Sequence, residues 1–455
     1  MASLTSGRLH VIGGGLAGSS LATLMSEDGI DVTLYDAGEP FESRWTRGMQ
    51  TAPNSHKVAE PEIFYDPEEL VSDFFSQFPE IPDKLVRPAH GVLALKRGRR
   101  KPAIVALNSG LAHALIKRRP GLVLQAVTAF GLWQKRFAGE DSRVDIPKGM
   151  GRANEADNDD ENWKKGTYHR DGLAVLAEIL FSMPAQKCSN ALFGRILAPS
   201  IKALFSRNPA PVFSAIDPII LNDIALPALR ERFLASGGRV MAHAPLGDID
   251  STSEYATDLL FGEDTQIVVK PQDAVVLALH PKQLCDAVPD IGFAPAPARR
   301  QTMVFEVRRQ FAEPRGLFTS DDLVRAIYCN RRHIQVNLNS NAHLSPDASP
   351  EQRAQRIWQR CVWLCDQYLN IDLTARAENA DGLGCPNFSF VDAEAPFPEL
   401  TPGVAALRHR FKPPWKNLFL CGDSFPADFA PGPAALFESV NQLHDELHTF
   451  FAKPA

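Results

Sequence analysis

Gly13-Gly14-Gly15-Leu16-Ala17-Gly18 is the stretch whose reading decides how this chain folds. It lies between an apolar run, Arg8-Leu9-His10-Val11-Ile12, which reads as a short buried strand, and residues 19–28, which read as a helix closed by Gly29. A second strand, Asp31-Val32-Thr33-Leu34-Tyr35, follows, and Asp36 ends it 18 residues after Gly18. Strand, glycine loop, helix, strand and acid together make the dinucleotide-binding fingerprint in its required order. Gly13 permits the tight turn, Gly15 lets the backbone approach a pyrophosphate, and Gly18 allows close helix–strand packing. Leu16 and Ala17 complete the loop, and the helix N-terminus behind it faces the phosphates. Asp36 is placed to hold a ribose hydroxyl.

The 455 residues suffice for one large core or two to three smaller ones. With 44% hydrophobic and 22% charged residues, the chain has the composition of an ordinary soluble globular protein. A net charge of −6 argues against nucleic-acid binding. No apolar run approaches the roughly 18 residues that span a bilayer. The first strand begins by Arg8, so no signal peptide is expected ahead of it. Seven scattered cysteines fit reduced thiols and a cytoplasmic location. Cys361 and Cys365 lie one helical turn apart and are expected to face the core together.

Asp66-Pro67-Glu68 predicts a helix start with a cap, a first-turn proline and an early acid. The basic cluster Lys96-Arg97-Gly98-Arg99-Arg100-Lys101 reads as a hairpin tip or loop, with attraction to anionic lipid headgroups as the functional alternative. Residues 154–161 are acidic and read as a surface loop. Asp157, Asp159 and Asp160 lack the central glycine and terminal glutamate of a calcium loop, so no metal site is expected. Residues 173–205 are the most lipophilic region, to be read as core, a greasy pocket or a membrane-resting face. Further on, a helix is expected from Pro227, strands at 239–242, 274–278, 302–307 and 333–338, and a capping box Ser349-Pro350-Glu351-Gln352 before a long helix.

Near the other end, Asn417-Leu418-Phe419-Leu420-Cys421 reads as an apolar strand ending in Gly422-Asp423-Ser424. Ala430-Pro431-Gly432-Pro433 then leads into a helix from Ala434 toward Phe451, with Pro433 fitting its first turn. This chemistry suits FAD: an aspartate after a glycine can accept from a ribityl hydroxyl, and the helix N-terminus can stabilise negative charge on the reduced ring. A nicotinamide dehydrogenase requires no such element.

These motifs resemble the FAD-dependent amine oxidase and phytoene desaturase superfamily, and within it most closely the hydroxysqualene dehydroxylases, or squalene-associated FAD-dependent desaturases. Gly13 to Gly18 match the N-terminal signature, with Asp36 where that family more often has glutamate. The superfamily next has two glycines and an arginine; here Glu42-Ser43-Arg44 keeps only the arginine. Asn54-Ser55-His56 resembles the ensuing dehydroxylase motif, and Leu197-Ala198-Pro199 through Ser214-Ala215 echoes part of their substrate region. The run from Pro413-Pro414-Trp415 to Cys421-Gly422-Asp423 is similar to their C-terminal flavin strand, whereas Glu438-Ser439-Val440-Asn441 lacks the usual serine–glycine pair.

The resemblance implies an α/β fold: a Rossmann-type FAD-binding domain with an inserted α+β substrate domain. The expected boundaries are 1–75, 215–290 and 400–455 for the discontinuous cofactor domain, and 76–214 and 291–399 for the substrate domain. It also implies an oxidoreductase acting on a hydrophobic, isoprenoid substrate by hydride transfer at flavin N5, in dehydroxylation or desaturation, with peripheral membrane contact. Arg44 would bind flavin phosphate or ribityl oxygens, and His56 would sit near the isoalloxazine as the candidate catalytic residue or as a packing histidine. Two alternatives stand beside this reading. One is an amine or amino-acid oxidase, with Arg408, His409 and Arg410 as a polar anchor. The other is a degenerate flavoprotein with an accessory role, suggested by Glu42 and Ser43.

Overall fold

The structure is a computed structural model that describes residues 7–42, 63–97, 100–107, 212–262, 265–288, 297–339, 348–377, 385–398, 413–426 and 429–452, together with the single positions 178, 180, 196, 404 and 408. Two sheets organise them. The first is wholly parallel, in the spatial order Leu418–Leu420, Ala274–Leu277, Arg8–Ile12, Asp31–Tyr35 and Arg239–Met241. All four residues of Ala274–Leu277 are buried, as they must be in a parallel strand covered on both faces. On one face, Leu9, Val11, Val32, Leu34 and Val276 share a core with helices Leu16–Glu27, Leu226–Ala235 and Pro433–Phe451. On the other, Ile12, Tyr35, Val275 and Leu277 pack with a small antiparallel sheet of Leu246–Ser251, Ala256–Phe261 and Thr265–Val268. This is the expected Rossmann-type architecture.

The second sheet has nine strands. Its order is Phe388–Pro398, Pro297–Glu306, His333–Leu338, Val324–Asn330, Arg315–Thr319, Val86–Arg97, Phe213–Ile216 and Ile63–Tyr65, with Arg100–Leu107 paired to Val86–Arg97. Arg315–Thr319 runs parallel to Val86–Arg97, while the other pairings among the described residues are antiparallel. Helix Pro350–Leu369 covers one face, where Trp358, Cys361, Leu364 and Cys365 meet Phe305, Ile327, Cys329 and Val336. The opposite face carries Ile63, Phe213, Phe318 and Tyr328. Ile63–Tyr65, expected within the cofactor domain, and Phe213–Ile216, which straddles the expected boundary at 214/215, hydrogen-bond into this second sheet.

Local expectations meet the structure in several places. Ser349 accepts from the Gln352 amide while the Gln352 side chain accepts from the Ser349 amide, completing the capping box. Cys361 and Cys365 both face the core, and burial among neighbouring thiols raises the pKa of each well above the ordinary thiol value. The glycine-loop helix starts at Leu16 rather than at residue 19, because Leu16-Ala17-Gly18 already turn helically after the extended Gly15. Asp66 does cap a helix, but that helix is Leu70–Ser76: the Asp66 carboxylate accepts from the amides of Leu70 and Val71, and Pro67-Glu68 remain in the preceding turn. No described helix is long and apolar enough to cross a membrane.

Candidate cofactor cleft and active site

The five parallel strands end their carboxyl termini around a cleft of about 580 Å³. Gly13, Gly15, Leu16 and Ala17 enter from the first strand, Asp36 and Ala37 from the second, Ala278 to Pro281 from the fourth in sequence, and Gly422, Asp423 and Ser424 from the last. A crevice outside the carboxyl ends of parallel strands is where open α/β sheets bind their ligands.

The glycines divide by what surrounds them. Gly13 has φ +106°, and a Cβ there would sit 2.4 Å from the Ala278 carbonyl oxygen. A Cβ on Gly18 would sit 2.0 Å from the Gly13 carbonyl oxygen. Both are therefore demanded by backbone packing. Gly15 differs: a Cβ there meets nothing within 4 Å, although the residue lines the cleft. Gly15 is also the N-cap of helix Leu16–Glu27 and supplies no side-chain acceptor. The first amides of that helix have no side-chain cap, and a helix N-terminus of this kind can receive a phosphate.

Asp36 holds this loop in shape. One carboxylate oxygen accepts from the Gly14 amide at 2.6 Å and the other from the Gly38 amide at 2.7 Å. Each oxygen keeps a second lone pair for a ribose hydroxyl. Behind it, Tyr35 stacks on Phe261 with centroids 4.6 Å apart and its hydroxyl lies 3.0 Å from His10 Nδ1. Burial lowers the His10 pKa, keeping the ring neutral beneath the cleft.

Opposite, Gly422 has φ +143° and donates its amide to Ser439 Oγ at 3.0 Å, which turns the chain sharply after strand Leu418–Leu420. Asp423 is buried and accepts from Ser424 Oγ at 3.3 Å. Burial pushes the Cys421 thiol up to about 12, so at neutral pH this cleft residue is a thiol and no nucleophile. Gly432, at φ +145°, caps helix Pro433–Phe451 without a side-chain acceptor, leaving a second set of helix amides free of side-chain caps. Pro433 and Ala434 form its buried first turn, and Leu436 lines the cleft.

Arg44, His56 and Ser43 lie outside the described residues, as do His409, Arg410, the acidic loop 154–161 and most of 173–205. Glu42 is described and lines the cleft. Arg408 is buried, and its guanidinium donates to the carbonyls of Ser424, Phe429 and Pro426. It fastens the loop that follows the flavin strand and does not offer itself as a substrate anchor. Tyr35, Pro245, His280 and Gln283 line the cleft although no motif marked them. Their signal was topological: each sits at or just past the carboxyl end of a parallel strand.

The sequence profile of the FAD dependent oxidoreductase family, DAO, matches residues 8–424, and the chain belongs to this family. It is accordingly an FAD-dependent oxidoreductase. No curated protein matches the sequence. Among solved structures it is similar to cyclohexylamine oxidase from Brevibacterium oxydans, at 13% identity and a TM-score of 0.62, with 97% of this chain and 99% of that one covered. It is also similar to a protein from Exiguobacterium named for protoporphyrinogen oxidase, at 12% identity and a TM-score of 0.58, covering 98% and 100%. A putrescine oxidase bound to putrescine shares 11% identity and a TM-score of 0.59, covering 97% and 99%. At these identities the likeness is one of fold. The open space at Gly15, the uncapped helix amides and the acceptor capacity of Asp36 and Asp423 fit FAD.

Proposed function

We propose that this oxidoreductase acts on a hydrophobic, isoprenoid substrate of squalene or carotenoid type, in dehydroxylation or desaturation. The observation that carries this reading is the aromatic face of the nine-stranded sheet. Phe213 and Phe318 lie 4.9 Å apart, Phe318 and Tyr328 5.7 Å, and Tyr65 and Phe213 5.7 Å, measured between ring centroids. Tyr65 donates its hydroxyl at 2.8 Å to the carbonyl of Ile196, a residue of the lipophilic stretch 173–205. Phe213, Phe318 and Tyr328 are buried in an apolar core of the second sheet, surroundings that suit a substrate without charged groups. The similarity of residues 413–423 to the dehydroxylase flavin strand supports the same reading.

In this mechanism the Gly15 backbone and the amides of helix Leu16–Glu27 would hold the pyrophosphate, and Asp36 would hold the ribose. Asp423 would accept from the ribityl chain, and the N-terminus of helix Pro433–Phe451 would favour negative charge nearby. When bound, FAD supplies a hydride donor or acceptor at N5. By resemblance, Arg44 is assigned a phosphate or ribityl contact and His56 a place near the isoalloxazine, as catalytic or packing residue. A substrate lying beside this apolar region would be shielded from water. Contact with a membrane surface, from which such a substrate would be drawn, belongs to the same proposal.

The test is anaerobic. The FAD-loaded chain is photoreduced and mixed with a squalenoid allylic alcohol; reoxidation of the flavin spectrum with loss of the hydroxyl is expected. Bleaching of the oxidised protein by cyclohexylamine or putrescine, with no response to the alcohol, would overturn this reading in favour of an amine oxidase.

A further inference from the structure

On the outer side of the cofactor domain, the glycine-loop helix ends where the last helix passes it. Asp28 is the C-cap residue of helix Leu16–Glu27, and His444 and His448 stand four residues apart on helix Pro433–Phe451. That spacing puts both imidazoles on one helical face. Their Nε2 atoms converge on a single oxygen: His444 Nε2 lies 2.7 Å and His448 Nε2 2.8 Å from Asp28 Oδ2. The three donor atoms all lie within 4.8 Å of one another. The side chains are about one-quarter to one-third exposed, so an ion can reach them.

We propose that Asp28, His444 and His448 bind a divalent transition-metal ion of the zinc type. Two imidazoles and one carboxylate are the donor set of such ions, whereas magnesium and calcium prefer oxygen alone. Opening each N···O separation by about 0.5 Å gives a tetrahedral ion its bonds of about 2.0–2.1 Å, with water in the fourth position. A further observation points the same way. A carboxylate at a helix C-terminus opposes the helix dipole, and the last turn of Leu16–Glu27 has no basic residue to offset it.

The consequence is a clamp. The two helices it joins are those whose N-termini open beside the cofactor cleft, so the ion would hold them in register from behind. Stability would then depend on the ion through simple linkage.

The test uses the tag-free, FAD-loaded full chain after chelator treatment. Titration with ZnCl2 in a calorimeter is expected to show one high-affinity site per chain, and MgCl2 none. Melting followed by flavin fluorescence should shift upward by a few degrees with saturating Zn2+. The double variant His444→Gln/His448→Gln, checked for wild-type flavin content, should lose both the site and the shift. Asp28→Asn should weaken binding about tenfold or more. Absence of stoichiometric Zn2+ binding in the unsubstituted chain overturns the proposal, as does binding that survives the double substitution or that Mg2+ matches.

Discussion

The two sheets of this protein use buried residues to opposite ends. In the five-stranded parallel sheet the apolar strands are short, and what matters happens where they stop: Gly13, Asp36, Ala278 and Gly422 all leave a strand's carboxyl end and enter one cleft. In the nine-stranded sheet the strands are longer and function has no single end. One face is sealed by helix Pro350–Leu369, and the other presents Phe213, Phe318 and Tyr328. The first sheet positions polar backbone with little tolerance; the second supplies volume and apolar area. Substitutions should therefore fail differently in each, by crowding in the first and by cavities in the second.

The largest effect on stability is expected in the second sheet. Phe305 is fully buried, 5.1 Å from Trp358 between ring centroids. Phe305→Ala should cost about 3–5 kcal/mol in denaturant unfolding, with the flavin of the surviving folded fraction unchanged in spectrum. A smaller loss of stability accompanied by an altered flavin spectrum would break the separation of roles. In the first sheet, Gly18→Ala forces a Cβ against the Gly13 carbonyl and should cost about 1–3 kcal/mol. Because that carbonyl belongs to the loop, flavin content should fall with it.

Between the sheets stands Asp66, which follows strand Ile63–Tyr65 and caps helix Leu70–Ser76; that helix carries Phe74, packed 4.4 Å from Phe437 of the last helix. Burial raises the Asp66 carboxyl to about 6 from 3.8, outweighing the two amide hydrogen bonds that lower it. The folded chain therefore binds a proton that the unfolded chain has released. This contribution favours folding below about pH 4 and is lost as pH rises through about 6. Asp66→Asn should flatten the fall in stability between those values, measured as melting temperature against pH. A slope identical to that of the unsubstituted chain would show that the group does not titrate there.

The same contrast explains what could be read from the sequence. The parallel sheet was legible because its signals are local: Gly13 to Gly18, Asp36 and the Leu418–Leu420 strand with Gly422-Asp423 each declare themselves within a dozen residues. The capping box at Ser349 and the thiols of Cys361 and Cys365 were legible for the same reason. The order of the nine-stranded sheet was not, since it pairs Ile63 with Ala215 and Arg315 with His90, contacts that no short window contains. Proline at 67 misled about the helix start because Asp66 caps across a turn, to the amides of Leu70 and Val71. The cleft residues His280 and Gln283 went unmarked because only the fold brings their loop beside the glycines. Asp28 and His444 are 416 residues apart, so their meeting is likewise a product of topology.

The smallest expected change in stability belongs to the most consequential glycine. Gly15→Leu places a side chain where a Cβ meets nothing within 4 Å, so the flavin-free protein should unfold within about 1 kcal/mol of the unsubstituted one. Leucine is a poorer N-cap than glycine, and that is the main cost to the scaffold, about 0.5–1 kcal/mol. Yet that empty space is the approach of the backbone to the pyrophosphate, and four heavy atoms there exclude it. Flavin content after gel filtration should drop to background while the melting curve of the apoprotein moves little. Set beside Gly18→Ala, this reverses the pairing of effects: crowding at Gly18 damages the scaffold and the ligand follows, whereas crowding at Gly15 removes the ligand and largely spares the scaffold. Retention of FAD by Gly15→Leu would move the phosphate away from this loop and leave the open space at residue 15 to some other occupant.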